Sequence, residues 1–148
     1  MRDSNSEIRT EDEDVPFTVV SLKTERQLND KQLFDFQSKQ HKFVNWLLTF
    51  GKNPDEVKGY AEETIKRSMK RTDKWHRWVW QQEDEYVPTP SRDHAINYIK
   101  ELAYDNYSAS HKSKCQVALK RYFKWRHHEF GEELWDPELT FTTDNSNQ

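Results

Sequence analysis

The segment Glu62–Gln82 reads EETIKRSMKRTDKWHRWVWQQ. When its residues are placed at ~100° per step around a helix, apolar and basic residues separate onto opposite sides. The apolar side consists of Ile65, Ser68, Met69, Thr72, Trp75, His76 and Val79. The basic side consists of Lys66, Arg67, Lys70, Arg71, Lys74 and Arg77, and it is interrupted only by Asp73. This pattern predicts an amphipathic helix that packs its apolar side on a core.

A second segment, Ser110–His128, follows the same design in the sequence SHKSKCQVALKRYFKWRHH. Its apolar stripe consists of Cys115, Ala118, Leu119, Tyr122 and Phe123. It also carries Lys112, Lys114, Lys120, Arg121, Lys124 and Arg126 and contains no acidic residue. We expect this helix to be capped near Ser108 or Ser110 and to end near Gly131.

Two further helices are expected from periodicity and capping residues. The first runs from about Asp30 to Phe50, with Asn29 or Asp30 as the cap and Gly51 after its end. Its apolar residues are Leu33, Phe36, Phe43, Val44 and Leu47. The other follows Val87-Pro-Thr-Pro-Ser and has a stripe of Ala95, Ile96, Tyr98, Ile99, Leu102 and Ala103. Because no segment alternates with period two, the sequence predicts an all-α fold.

Composition indicates one domain with polar tails. The chain has 148 residues, of which 33% are hydrophobic and 33% charged, and its aromatic fraction of 14% can build a thin core. We expect a disordered acidic arm over residues 1–27, a helical domain over 28–139 and a linker over 140–148. The net charge is −3. Much of the acidity belongs to the arm, in Asp3, Glu7, Glu11, Asp12, Glu13 and Asp14.

Several classes of protein are disfavoured by the sequence. The single cysteine, Cys115, excludes an internal disulfide and is typical of a reducing compartment. No apolar run approaches the ~20 residues of a membrane span, and no signal region begins the chain. We therefore expect a cytoplasmic protein that does not enter membranes.

The sequence carries no motif for a cofactor, metal or nucleophile. Three glycines leave little scope for a glycine-rich phosphate loop. His127, His128 and Glu129 are sequence neighbours that point in different directions on a helix, so no metal site is expected. Cys115 and His76 lie on apolar stripes, and we interpret both as core residues.

Three tryptophans occur close together in the segment WHRWVW. Trp75 lies on the apolar stripe and is interpreted as a core residue. Trp78 and Trp80 lie off its centre, where they either pack against another helix or offer a stacking surface for bases.

The two basic rows predict a polyanionic partner. Solvated helix faces usually pair Glu with Lys one turn apart, and such pairing is largely missing here. Uncompensated like charge is destabilising, so DNA or RNA is the favoured partner, and a basic helix fits the major groove of duplex DNA. The alternative is a helical protein-interaction module that binds an acidic protein.

Five short motifs occur in the order and spacing of a known family. They are Thr64-Ile65-Lys66-Arg67 with Trp75 and Trp78-Val79, then His94–Leu102, Tyr107–Ser110, Ala118–Trp125 and Trp135-Asp136-Pro137. Over about Asn45 to Pro137, the chain resembles the N-terminal core-binding (SAM-like) domain of tyrosine recombinases and phage integrases. The segment GKNPDEVKGYAEETIKR is especially similar to integrases of halophilic archaea.

The resemblance implies a SAM-like four-helix core-binding domain with one helix N-terminal to the minimal family unit. It also implies that the protein clamps duplex DNA at a recombination site. Together with the basic rows it gives twelve candidate DNA-binding residues: Thr64, Lys66, Arg67, Lys70, Lys74, Ser110, His111, Lys112, Lys114, Lys120, Arg121 and Lys124. Cys115 departs from the family, which often has a basic residue at that position.

The catalytic half of such a recombinase is not expected in this chain. The family's His-x-x-Arg signature is absent, so we expect no enzymatic activity here and a catalytic domain after the linker. A stand-alone DNA-binding regulator remains the closest alternative. Self-association on DNA, the target sequence and the role of the first helix stay open.

Overall fold

The computed structural model describes residues 15–135 and 137, and the regular secondary structure of this part of the chain is helical. Five helices follow one another along the chain: α1 (Leu22–Gln27), α2 (Asp30–Thr49), α3 (Glu62–Glu83), α4 (Arg92–Leu102) and α5 (Ala109–Phe130). Within the described residues no strand occurs, only an isolated bridge between Asn53 and Lys58. The predicted all-α class is therefore confirmed. In this part of the chain, none of the helices has the length and apolar character needed to cross a membrane.

The chain divides into two compact units, Met1–Met69 and Lys70–Gln148. The boundary falls inside α3, whose N-terminal part belongs to the first unit and whose remainder belongs to the second. The arm residues 1–14 and the expected linker 140–148 lie outside the described residues.

In the first unit, α1 corrects the prediction of a disordered arm over residues 1–27. The Ser21 hydroxyl accepts a hydrogen bond from the Thr24 backbone N–H at 3.2 Å and so caps this short helix. Val20 and Thr24 are both buried. Since α1 has only six residues and buries one of them, it is too short to produce a visible periodicity.

Helix α2 begins at a capping box in which Asn29 and Gln32 exchange hydrogen bonds. Of the predicted apolar residues, four are buried and Leu33 is half-buried. The four buried ones are Phe36, Phe43, Val44 and Leu47. The helix ends at Thr49 as expected, with Phe50 as the C-cap.

The loop after α2 returns to the end of that helix. The Tyr60 N–H donates to the Leu47 carbonyl at 3.0 Å, and Lys58 exchanges backbone hydrogen bonds with Asn53. A Cβ atom on Gly59 would lie 1.8 Å from the Leu48 carbonyl oxygen, so only glycine fits at this approach.

In the second unit, polar residues set the ends of α4 and α5. Ser91 caps α4 through a box with His94, and Ser108 caps α5 by accepting from the His111 N–H at 3.1 Å. Helix α5 ends at Gly131, which has a φ of 70° and donates its N–H to the His127 carbonyl. Both C-terminal and N-terminal limits of α5 therefore agree with the sequence.

Aromatic rings form the core of the second unit. Trp75 is fully buried and meets the Tyr122 ring at 5.2 Å and the Phe123 ring at 5.8 Å between centroids. His76 meets Tyr122 at 5.3 Å, and its Nδ1 lies 2.7 Å from the Thr72 carbonyl oxygen. These edge-to-face contacts join α3 to α5 and confirm that Trp75 and His76 are core residues.

Three side chains differ from the predicted faces. Asp73, expected to interrupt the basic side of α3, is buried, and its Oδ2 lies 3.6 Å from Arg77 Nε. Ile96 and Ala103, expected in the buried stripe of α4, are exposed. Helical periodicity predicts the face of the helix on which a side chain lies. Whether that side chain is buried depends on whether another part of the chain packs on that face.

Candidate nucleic-acid interface

The candidate interface of the second unit is built around Tyr107, in the short connection before α5. Lys74 Nζ, on α3, donates a hydrogen bond to the Tyr107 hydroxyl at 3.2 Å and lies 5.1 Å from the centre of its ring. The His111 ring, on the first turn of α5, lies 4.3 Å from the Tyr107 ring at an interplanar angle of 34°. Tyr107 therefore joins the basic side of α3 to the beginning of α5.

The position of His111 follows from local structure at the helix start. Its backbone N–H is held by the Ser108 hydroxyl, which fixes the first turn of α5. Its Nε2 lies 3.6 Å from the Cys115 sulfur one turn further along the helix. No other hydrogen-bond partner for the ring occurs among the described residues, so Nδ1 is the nitrogen that remains available to a ligand.

The charges around His111 are all positive. Desolvation lowers the pKa of His111 below the ordinary value for histidine, and the nearby cations Arg71, Lys74 and Lys114 lower it further. Burial raises the pKa of the Cys115 thiol, and the nearby Arg71 and Lys74 act in the opposite direction. At neutral pH the site therefore combines three permanent cations with a neutral imidazole and a neutral thiol.

Among the residues that the structure describes, no acid pairs with the basic residues in this part of α3 and α5. Lys70, Lys74 and Lys114 are exposed, and Arg71 is half-buried. Within residues 15–135 and 137, none of these four side chains has a carboxylate within ion-pair distance. The first turn of α5 also contains no acidic residue, so the positive end of the helix dipole adds to the potential.

Other basic residues of the second unit are directed elsewhere. Arg77 lies beside the buried Asp73, and Arg126 forms a short charge-assisted contact with Glu132. Lys112 Nζ donates to the Ala103 carbonyl at 3.3 Å, so this predicted DNA-binding residue lies at the end of α4. The structure brings Lys74, His111 and Lys114 together, but Lys112 is held outside that group.

The remaining candidates of the second unit lie on α5. Ser110, in the first turn, is half-buried. Lys120, Arg121 and Lys124, in the middle and second half of the helix, are also half-buried. The Tyr107 group, which consists of Lys74, Tyr107, His111 and Lys114, involves only the first two turns of α5, whereas these three residues lie further along the helix.

Three candidates belong to the first unit, on the first turns of α3. Thr64 is half-buried and Arg67 is exposed. Lys66 Nζ lies 5.6 Å from the centre of the Phe17 ring, so it is partly covered by the segment before α1.

Two members of the interface were missed by sequence reasoning. Arg71 lies in the basic row of α3 and was recognisable from periodicity, but it was not selected. Tyr107 is uncharged, so the pattern of basic residues does not select it. It lies in the candidate interface because it directly precedes Ser108, the N-cap of α5. Its hydroxyl accepts a hydrogen bond from Lys74 of α3, and its ring contacts His111 of α5.

Trp78 and Trp80 both have hydrogen-bond partners within the second unit. Trp78 Nε1 donates to Glu101 Oε2 at 2.7 Å, and its ring meets Tyr98 of α4 at 5.1 Å. Trp80 is buried and donates to the Val87 carbonyl at 3.0 Å. Packing, not base stacking, accounts for both side chains.

A metal centre finds no support in the part of the chain that the structure describes. No group of three or more His, Cys, Asp or Glu side chains has a suitable arrangement there. Cys115 is a buried free thiol, in agreement with its interpretation as a core residue.

Comparison of the chain with protein-family models, curated proteins and solved structures finds no match in any of the three.

Proposed function

We propose that this chain is a duplex DNA-binding module and, more specifically, the core-binding domain of a site-specific tyrosine recombinase. The observation that carries DNA binding is the meeting of two cationic helices at Tyr107. Lys74 from α3 and His111 from α5 contact the same ring, and Lys114 adds charge from the next turn. Such a patch can neutralise neighbouring phosphates of one DNA backbone.

The concentration of positive charge in this patch is better explained by binding of a nucleic acid than by exposure to water alone. Like charges held together by the fold repel one another, and this cost is offset when a polyanion binds. Elsewhere on the same helices the chain does use ion pairs, at Arg77 with Asp73 and at Arg126 with Glu132. Among the described residues, the helices therefore pair some of their cations with acids but leave those of the Tyr107 group without such pairs.

The recombinase assignment rests on the motif order. In a SAM-like four-helix core-binding domain, the first and third helices of the minimal unit line the DNA groove. Helices α3 and α5 hold these positions in the motif order, and α2 is the additional N-terminal helix. DNA cleavage would then require a separate catalytic domain, so we expect this chain to bind DNA without cutting it.

Duplex binding at different salt concentrations tests the proposal. The double variant Lys74→Ala/Lys114→Ala should weaken binding to a short duplex, because both lysines are exposed and both lie near His111 on the proposed surface. The slope of log affinity against log salt should fall by about 1 for each lost phosphate contact. Fluorescence anisotropy with a labelled duplex measures both quantities.

A matched control has the same loss of charge at a different place. Lys31→Ala/Lys39→Ala changes two lysines on α2, and Lys39 is already paired with Asp35 at 2.8 Å. This variant should keep both the affinity and the salt slope of the parent protein. Equal effects from the two double variants would reject a defined surface in favour of diffuse charge attraction.

The alternatives give different results. A helical module that binds an acidic protein should show no salt-dependent affinity for duplex DNA. A stand-alone DNA-binding regulator and a recombinase domain both bind duplex, and the gene beyond codon 148 distinguishes them. The recombinase proposal requires a downstream His-x-x-Arg motif and a nucleophilic tyrosine.

A further inference from the structure

We propose that Lys74, Tyr107 and His111 form a proton-linked site for one backbone phosphate, in which His111 takes up a proton as the phosphate binds. This inference rests on the proposed DNA-binding function and adds a regulation by pH. It assigns a specific role to a side chain that the charge pattern alone treats as one basic residue among many.

The first step concerns the geometry of donors. Lys74 Nζ is fixed by the Tyr107 hydroxyl, and the His111 ring is fixed by its contact with the Tyr107 ring and by Cys115 near Nε2. Nδ1 of His111 has no partner among the described residues. An ammonium group and an imidazole nitrogen that are held beside the same phenol ring can both donate to phosphate oxygens.

The second step concerns the charge state before binding. The charged groups that face His111 are Arg71 and Lys74 from α3 and Lys114 from α5, and the titratable neighbours are Tyr107 and Cys115. None of the groups that shift its pKa is a carboxylate. Desolvation and the three cations together favour the neutral imidazole in the free protein.

The third step concerns the change that a phosphate produces. A bound phosphate places negative charge beside His111 and screens it from the surrounding cations, so both effects favour the protonated ring. The complex therefore binds more protons than the free protein. By linkage, duplex affinity must increase as the pH falls through the range in which His111 titrates.

The experiment measures duplex affinity from about pH 5.5 to about pH 8 at constant ionic strength, the range in which histidines titrate. For the parent protein, affinity should rise as the pH falls, by at most about tenfold per pH unit for uptake of one proton. His111→Gln keeps a polar side chain of similar size that cannot titrate. It should lose most of this pH dependence, so the ratio of parent affinity to variant affinity should become smaller as the pH rises.

The matched control is His128→Gln, which removes a histidine in the last turn of α5, away from Tyr107. It should retain the pH dependence of the parent. An unchanged pH slope in His111→Gln would overturn the inference while leaving DNA binding intact. Absence of duplex binding by the parent protein at every pH would instead reject the proposed function itself.

A direct measurement gives the same answer without a substitution. Side-chain NMR of the parent protein reports the pKa of His111 alone and in the presence of excess duplex. We expect the pKa to rise on addition of DNA. A pKa that stays constant or falls in the saturated complex would overturn proton uptake at this residue.

Discussion

At the scale of single residues, Gly59 is the position where the first unit has no room for a side chain. The missing Cβ would lie 1.8 Å from the Leu48 carbonyl oxygen and 2.8 Å from the Leu47 carbonyl oxygen. Both neighbours are backbone atoms at the end of α2 and cannot rotate away. We expect Gly59→Ala to lower the free energy of unfolding by more than about 2 kcal/mol, at the upper end of ordinary substitutions.

Gly131 provides the comparison for this prediction. It has a φ of 70°, but apart from its two chain neighbours no atom of the described residues lies within 4 Å of the position that its Cβ would occupy. Gly131→Ala should therefore lose only about 1 kcal/mol, the usual strain of a left-handed backbone. Urea unfolding of the two variants measures both values, and a loss in Gly59→Ala no greater than that in Gly131→Ala would contradict the close approach.

The same scale explains which residues of the candidate interface the sequence could predict. Lys74, Lys114 and His111 were predictable because charge and helical spacing are both visible in the sequence. The contacts of Tyr107 with Lys74 and His111 depend on where the loop before α5 places its ring. No local sequence pattern predicts that position. Asp73 has the spacing of a surface residue on α3, but packing within the fold buries it beside Arg77.

At the scale of helices, α4 and α5 each bury one tyrosine that links stability to alkaline pH. Burial raises the pKa of Tyr98 and of Tyr122 well above the ordinary value for tyrosine. An unfolded chain loses these protons near pH 10, but the folded chain retains them. Their contribution to stability is therefore complete below about pH 10 and is lost as the pH rises above it, by about 1.4 kcal/mol per pH unit for each phenol.

Substitution by phenylalanine isolates this contribution from the titration of lysines. Tyr122→Phe should make the loss of unfolding free energy between about pH 9 and about pH 11 less steep, because one titrating phenol is removed. Tyr104→Phe removes a phenol that is exposed in the folded protein and should leave the slope unchanged. Chemical denaturation at each pH gives the slopes, and identical values for the two variants would disprove burial as the cause.

The helices also differ in how far the sequence determined them. Helices α2, α4 and α5 were predicted because each combines a capping residue with an apolar stripe. Helix α3 was predicted from its apolar stripe and opposite basic row alone. Helix α1 was missed because Leu22–Gln27 is a single capped turn and a half, and Leu22 at its start is 65% exposed. Ile96 was predicted to be buried because it is apolar and lies beside the stripe of α4. It is exposed because it lies at the edge of that stripe, where burial depends on the packing of α4 on other elements.

At the scale of the whole molecule, the net charge opposes the partner that the helices favour. The chain carries a net charge of −3, but the Tyr107 group contributes only cations from α3 and α5. A local patch governs contacts at short range, while the net charge governs the approach of a polyanion at distances up to about a Debye length of 10 Å at 0.1 M salt. The effect of the net charge can be separated from that of the patch by changing only charged residues outside α3 and α5.

Residues 1–14 offer that change because they contain six carboxylates and two arginines. Deleting them changes the net charge from −3 to +1 and leaves all the lysines of α3 and α5 in place. We expect the shortened chain to bind a short duplex more tightly than the parent, with a difference of about threefold to tenfold at low salt that largely disappears above about 0.3 M. Association rates should account for most of the gain, because long-range attraction acts on the approach of the partners.

A full-length variant tests whether charge is the cause. Replacing Asp3, Glu7, Glu11, Asp12, Glu13 and Asp14 by Asn or Gln retains the length of the chain and removes the same carboxylates. Stopped-flow association at several salt concentrations should then give at least the same increase in rate as the deletion, since the two arginines remain. An increase confined to the deletion would mean that the segment opposes DNA by its bulk, whereas equal rates for all three proteins would show that only the local patch determines duplex binding.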